Sequence, residues 1–299
     1  LCGFAFFAVA CWAVLCEYLT VSRSVDMKIS GFDRLKVLVI THFTSPYQVE
    51  LFDAISTVKE VDITVVYLNK QSPGRKWASR KLVHTHFFSS DLKFEKNGLR
   101  GLIEKADLIV INFYQSCLSF SAIYLSRKLK KPLVFWGERP HEHWYSWLSR
   151  VVRLFIFNGW RGVNFDVWGI GSLAVNKYKM EFGGNCEYVN ISYYSDLSRF
   201  TQSTENNGPQ SMQTRDTVTF FYSGSLIHRK GVDVLARAFL KLLADGHKAR
   251  LVFLGEGDLR PELETMLRGH EALVEFLGFK DWEELPGVYA SADVLCVPS

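Results

Sequence analysis

The chain has 299 residues, room for two domains of ordinary size, and its 48% hydrophobic and 22% charged residues are the balance of a globular protein. Against 31 acidic side chains stand 35 basic ones, and a formal charge of +4 makes no global case for nucleic acid as a partner, though it leaves room for a local basic patch that meets anionic lipid. The six cysteines, Cys2, Cys11, Cys16, Cys117, Cys186 and Cys296, contain no CxxC pair, which argues against zinc or a disulfide framework and for reduced thiols in a cytosolic setting.

The N-terminal stretch LCGFAFFAVACWAVLC is apolar up to Glu17, shorter than the ~20 residues that span a bilayer. From Lys36 onwards strands alternate with helices. KVLVIT is the first strand, Ser45 and Pro46 read as an N-cap and a first-turn proline, and a helix is predicted over Gln48 to Val58. DITVVYL, LVHTHFF, ADLIVIN and PLVFW follow as strands, with a helix from Cys117 to Lys130 between the last two. That order predicts a doubly wound α/β domain with ligands beyond the strand C-termini. The first turn, THFTSPYQ, has no glycine, so the dinucleotide fingerprint of a nicotinamide or flavin enzyme is missing.

Polar groups gather where that domain would bind. His42, Thr44 and Tyr47 end the first strand, and Glu138, Arg139, His141 and His143 follow PLVFW. Glu138 and His141 are the catalytic candidates on this side, since a carboxylate and an imidazole at a strand end suit orienting a substrate hydroxyl and accepting its proton; the alternative for each is an ordinary hydrogen-bonded loop. His84 and His86 share a strand face, but no third ligand is visible and no metal is expected. Trp144, Trp147, Leu148, Val151, Leu154 and Phe155 repeat at helical spacing among Arg150, Arg153 and Arg161, with Trp160 at the far end. Packing into the first domain is the usual fate of such a stripe, and peripheral membrane contact through Trp144–Trp160 is the alternative its aromatic and arginine content leaves open.

Thr201 to Thr217, TQSTENNGPQSMQTRDT, is polar with no apolar period and reads as the linker. Beyond it come FFYSGSLIHRKGVDVLARAF, LVFLGEGDLRPELETML, VEFLGF and VYASADVLCVPS. Phe220 to Tyr222 ends a strand, Gly224 permits a positive φ, and a helix from about Gly231 would set its free amides behind Arg229 and Lys230. Cations oppose the dipole at a helix start, so Arg229 and Lys230 are expected to serve a bound anion. Val232, Leu235, Ala236, Phe239, Leu242 and Leu243 form the buried stripe that holds this end still. Gly255-Glu256-Gly257 lets backbone approach a ligand, although GxG alone is equally an ordinary strand-to-helix turn.

The order of these pieces closely resembles the donor domain of retaining glycosyltransferases of family 4, which have the GT-B fold. The resemblance is strong over Phe220–Ser299 and continues more weakly back to about Lys36. It implies α/β architecture with two Rossmann-like doubly wound domains facing a cleft: residues 27–200 on the acceptor side, a linker over 201–217, and a donor-binding domain over 218–299. It also implies transfer, with retention, of a sugar from a nucleoside-diphosphate sugar to a hydroxyl of a polysaccharide or lipid-linked glycan, with no cofactor and no metal. The donor would be held by Gly224, Ser225, Arg229, Lys230, Gly255, Glu256, Gly257, Gly278 and Phe279, with Lys230 and Arg229 stabilising the departing charge. Phe279 would line the nucleotide base, or be plain core. The family usually has arginine directly after the loop glycine, where this chain has Ser225, so the second cation is expected from Arg229. Pro298 and Ser299 match the point beyond which the family carries a pair of glutamates, so the chain is expected to be C-terminally truncated. Met27 resembles a start of this family, which makes residues 1–26 an apolar lead outside the fold, with an anchor or signal segment as the alternative. The expected location is cytoplasmic, up to the inner face of the membrane. A nucleotide-sugar epimerase of the same architecture and a non-catalytic nucleotide-sugar-binding or scaffold protein remain the other readings.

Overall fold

The computed structural model describes residues 34–70, 81–93, 98–140, 146–158, 165–183, 186–191, 193, 194, 197, 198, 200 and 216–299. The chain forms two compact units, residues 1–196 and 197–299. His141, His143, Trp144, Trp160, Arg161 and most of the expected linker lie outside the described residues.

The first unit is built on strands β1 (Leu35–Phe43), β2 (Val61–Asn69), β3 (Thr85–Phe88), β4 (Leu108–Ile111), β5 (Leu133–Gly137), β6 (Phe165–Gly169) and β7 (Tyr188–Asn190). All are parallel, in the order β3-β2-β1-β4-β5-β6-β7. Helix α1 (Pro46–Ser56) links β1 to β2; α2 (Gly98–Lys105), α3 (Cys117–Lys128), α4 (Ser146–Asn158) and α5 (Ser172–Phe182) make the later crossovers. Steps from β3 through β7 run one way across the sheet and the β1-to-β2 step runs the other, so right-handed crossovers divide the helices between the two faces. Val49 and Phe52 of α1 pack on Val37, Val39 and Val65 on one face. Ile103, Ile123, Leu154, Ala174 and Tyr178 from the other four helices pack with Leu38, Ile109, Phe135 and Val167 on the opposite face. Continuous apolar strands such as LIVI and LVFWG follow from burial on both faces.

The second unit carries a parallel sheet in the order β10-β9-β8-β11, from β8 (Val218–Ser223), β9 (Ala249–Leu254), β10 (Val274–Gly278) and β11 (Val294–Leu295). Helices α6 (Val232–Ala244), α7 (Arg260–Met266) and α8 (Leu285–Ala290) connect them. The expected stripe of α6 faces the core: Val232, Ala236 and Phe239 are buried, and Leu235, Leu242 and Leu243 pack against the same cluster.

Several expectations shift. The first helix runs Pro46–Ser56 rather than Gln48 to Val58, and Ser45 does not cap it with its side chain but donates Oγ–H to Gln48 Oε1 at 3.0 Å. Helices α2 and α5 and strands β6 and β7 are additions to the sequence reading. In α4, Leu154 packs against the domain core, whereas Trp147, Leu148, Val151 and Phe155 are exposed, so most of the described stripe does not pack into its domain. Arg153, which flanks the stripe, is buried and paired with Glu181 at 2.6 Å.

Candidate functional site

Two clusters of polar groups form at strand C-termini, one in each unit. In the second unit the loops after β8, β9 and β10 are stitched together through their backbones. Gly224 N–H donates to Leu254 O at 2.9 Å, Leu226 N–H to Glu256 O at 3.0 Å, Leu259 N–H to Leu226 O at 3.0 Å, and Gly255 N–H to Gly278 O at 2.8 Å. Glycine is required for this approach. A Cβ on Gly255, whose φ is +130°, would collide with the Gly224 carbonyl oxygen, and one on Gly257 would collide with the Leu226 backbone. The GEG stretch is therefore more than a generic turn, because it is the wall on which the Gly224 loop rests.

From Leu226 the chain enters a 3-10 turn over His228–Lys230 and turns at Gly231, at φ +66°, into α6. Tyr222 Oη donates to Ser225 O at 2.9 Å and pins the loop from beneath. Burial pushes the Tyr222 phenol up and the Arg229 charge works in the opposite direction, which puts the guanidinium within electrostatic reach of the ring. Arg229 is exposed and Lys230 half-buried. Among the described residues neither has a carboxylate partner; the nearest acid along the chain, Asp233, pairs with Arg237 at 2.9 Å and lies 4.0 Å from His228 Nδ1.

Asp233 also changes the picture of the helix start. Partial desolvation would raise its carboxyl, but the Arg237 hydrogen bond and the backbone N–H groups of Asp233 and Val234 hold it below the usual carboxylate range. Positive charge at this corner comes from the side chains. Ser225 is exposed beside Tyr222, Gly278 takes φ +67° beside Glu256, and Phe279 is 42% exposed, which removes the plain-core alternative for it.

In the first unit, Thr41, Gln48 and Asn112 interlock at the ends of β1 and β4. Thr41 Oγ1 donates to Asn112 Oδ1 at 2.9 Å, Gln48 Nε2 donates to the same oxygen at 3.1 Å, and Asn112 Nδ2 donates to Trp136 O at 3.1 Å. His42 stacks on Phe113 at 3.9 Å and burial lowers its pKa, so the ring is held neutral. Thr44 is engaged structurally, donating to Lys70 O at 2.6 Å.

Glu138 stands just past β5 with its carboxylate accepting from Tyr193 Oη at 2.8 Å, while its carbonyl accepts from Tyr178 Oη at 2.6 Å. The Tyr193 ring lies 4.6 Å from Tyr47 and 6.0 Å from Trp136. Burial first, then Tyr47 and the Glu138 charge, push its phenol far above the ordinary range, so it remains a donor to Glu138. Glu138 and Tyr47 are thus brought into one cluster, joined by Tyr193, Asn112 and Gln48, which the sequence reading did not single out. The polar residue that closes the run ADLIVIN was the available signal for Asn112. His84 belongs elsewhere: its Nδ1 is 2.6 Å from Asp53 Oδ1 and its Nε2 is 3.1 Å from Tyr67 Oη, which leaves it no free nitrogen for a metal.

Residues 217–299 match the family described as Glycosyl transferases group 1. An uncharacterized glycosyltransferase of Methanocaldococcus jannaschii is 40% identical over 86 residues, covering 28% of this chain and 22% of that protein. A GDP-mannose-dependent monoacylated alpha-(1-6)-phosphatidylinositol monomannoside mannosyltransferase of Corynebacterium glutamicum is 24% identical over 134 residues, 44% of this chain and 35% of that one. The chain thus matches about a fifth and a third of these relatives' lengths. Among solved structures, Anabaena HepE in complex with UDP superposes with a TM-score of 0.63 at 14% identity, over 89% of this chain and 74% of that one. The apo lipopolysaccharide outer core galactosyltransferase WaaB does so with a TM-score of 0.53 at 12% identity, over 87% and 73%. Residues 217–299 thus resemble the Glycosyl transferases group 1 family, and the chain as a whole has the α/β fold seen in GT-B glycosyltransferases.

Proposed function

We propose that this protein transfers a sugar, with retention, from a nucleoside-diphosphate sugar to a hydroxyl of a glycan or lipid-linked acceptor. The observation that carries the proposal is the corner at Arg229 and Lys230. Two cations without carboxylate partners among the described residues stand at the rim of a loop fixed by Tyr222, Gly255 and Gly257. Cations at a helix start are unfavourable unless an anion joins them. A diphosphate supplies that anion, and developing negative charge on it during glycosidic cleavage is what fixed cations stabilise best. Similar proteins support the class of donor: one relative is GDP-mannose-dependent, and HepE is seen in complex with UDP and with UDP-glucose.

In this reading Gly224, Ser225 and Gly255–Gly257 hold the diphosphate against backbone, Arg229 and Lys230 take its charge, and Gly278 with the exposed Phe279 meets the nucleotide base. By family resemblance the donor diphosphate helps deprotonate the acceptor on the same face of the sugar. Glu138, backed by Tyr193, then orients the acceptor hydroxyl together with His141. The free thiols Cys117 and Cys186 suit a cytoplasmic setting.

Calorimetric titration of UDP and GDP, with assay of glycosidic bond formation in the full-length protein, tests the proposal. Lys230→Ala should cost ~2–4 kcal/mol of transition-state stabilisation, the range for one preorganised electrostatic contact. Equal diphosphate affinity in wild type, Lys230→Ala and Arg229→Ala would remove the site from this corner.

A further inference from the structure

Helix α4 presents an apolar face to solvent that its own unit leaves uncovered. Trp147 is 62% exposed and Phe155 70% exposed, with Leu148, Val151 and Val152 between them also exposed. The sequence SWLSRVVRLFIFN places these side chains along one broad side of the helix. A contiguous face of this kind is unusual on a protein that acts alone in water and marks a docking surface. The opposite side is fixed: Arg153 is buried in a bidentate pair with Glu181 of α5, at 2.6 and 2.9 Å.

Charge decides what the face meets. Helix α4 contains two arginines and no acid. On α5, the one acid is Glu181, buried and committed to Arg153. The exposed charge that α4 itself presents is therefore positive, Arg150 standing one turn from Trp147 with its guanidinium 3.5 Å from Met180 O. An apolar helical face edged by an arginine, with no exposed carboxylate among the described residues of α4 and α5, complements an anionic lipid surface, with the aromatic rings seated at headgroup level. We propose that the exposed face of α4 docks the protein onto a bilayer containing anionic phospholipid. No described helix is long and apolar enough to cross a membrane. The inference stands apart from the transferase reading, because docking is measured without donor or acceptor.

The experiment is co-sedimentation of the full chain with vesicles of phosphatidylcholine alone and of phosphatidylcholine mixed with phosphatidylglycerol, at low and high salt. Wild type should partition onto the anionic vesicles and release in high salt. Trp147→Ser with Phe155→Ser should lower partitioning by roughly tenfold or more, the scale of withdrawing two large apolar side chains from burial. Arg150→Glu should weaken anionic binding and leave the small zwitterionic binding unchanged. Trp147→Phe keeps the apolar face and should bind as wild type does, but with a measurable loss of tryptophan quenching by brominated lipid chains. Unchanged binding in the serine variant would place attachment elsewhere, for example in the apolar residues 1–26, and overturn the proposal. So would unchanged quenching in Trp147→Phe, or a concentration-dependent dimer that the serine variant dissolves while vesicle binding is absent.

Discussion

At Gly255 the difference between a permissive and an obligatory glycine can be measured. Gly246 and Gly255 both have positive φ, but a Cβ on Gly246 meets nothing within 4 Å, whereas one on Gly255 strikes the Gly224 carbonyl. Gly246→Ala should therefore cost only its backbone strain, about 1 kcal/mol. Gly255→Ala must add displacement of the loop that ends in Arg229 and Lys230, so it should be more destabilising by denaturant titration and should also weaken UDP or GDP binding. Equal effects of the two substitutions would show that the close approach has no energetic consequence. Tyr222 supplies a milder probe of the same loop. Tyr222→Phe removes the hydrogen bond to Ser225 O, worth about 0.5–1.5 kcal/mol, without opening a large cavity. Calorimetry should record weaker diphosphate binding together with a drop of a few degrees in the unfolding midpoint.

Between elements, the Asp53–His84 contact ties α1 to the segment entering β3. Asp53 Oδ1 accepts from the Val83 and His84 N–H groups at 2.9 and 3.1 Å and lies 2.6 Å from His84 Nδ1. Burial would raise the Asp53 carboxyl, but those hydrogen bonds outweigh it and hold the group below its usual range. A depressed folded pKa contributes stability above the ordinary carboxylate value, about 4, and that contribution is lost as pH falls through the folded value. Wild type should thus lose thermal stability in acid more steeply than Asp53→Asn, which should be weaker at neutral pH and flatter below it. Asp53→Ala should cost about 3–5 kcal/mol at neutral pH, since it strands a buried partner. Nothing in the sequence paired Asp53 with His84, because the partners are 31 positions apart and belong to different elements. Strand β6 was hidden for a related reason. FDVWG is short and interrupted by Asp166, whose carboxylate is buried and accepts the Glu187 N–H at 3.1 Å. Long apolar runs such as LKVLVITHF were legible because burial on both faces leaves an unbroken signature, and the donor motif because Gly224, Gly255 and Gly278 each stand at the end of an apolar strand. The reversal of α4 has the same origin: helical periodicity reveals an apolar side but not whether anything covers it.

Across the whole molecule, the candidate donor groups lie in residues 197–299 and the Glu138 cluster in residues 1–196, so their chemistry should separate under mutation. Lys230 would act on the diphosphate and Glu138 on the acceptor hydroxyl. Glu138→Gln keeps the size of the side chain and its ability to accept from Tyr193 Oη, but removes the charge. It should leave UDP or GDP affinity unchanged while lowering turnover about 10²-fold, the low end of what a positioned acid or base contributes. Tyr193→Phe should follow it in direction with a smaller loss, because the carboxylate stays charged and loses only the group that orients it. Lys230→Ala should reverse the pattern, weakening diphosphate binding while an acceptor analogue competes as well as before. Calorimetry with the diphosphate and initial rates with varied acceptor read the two terms independently. A Glu138→Gln protein that loses diphosphate affinity, or one that turns over at the wild-type rate, would break the division of labour between the units.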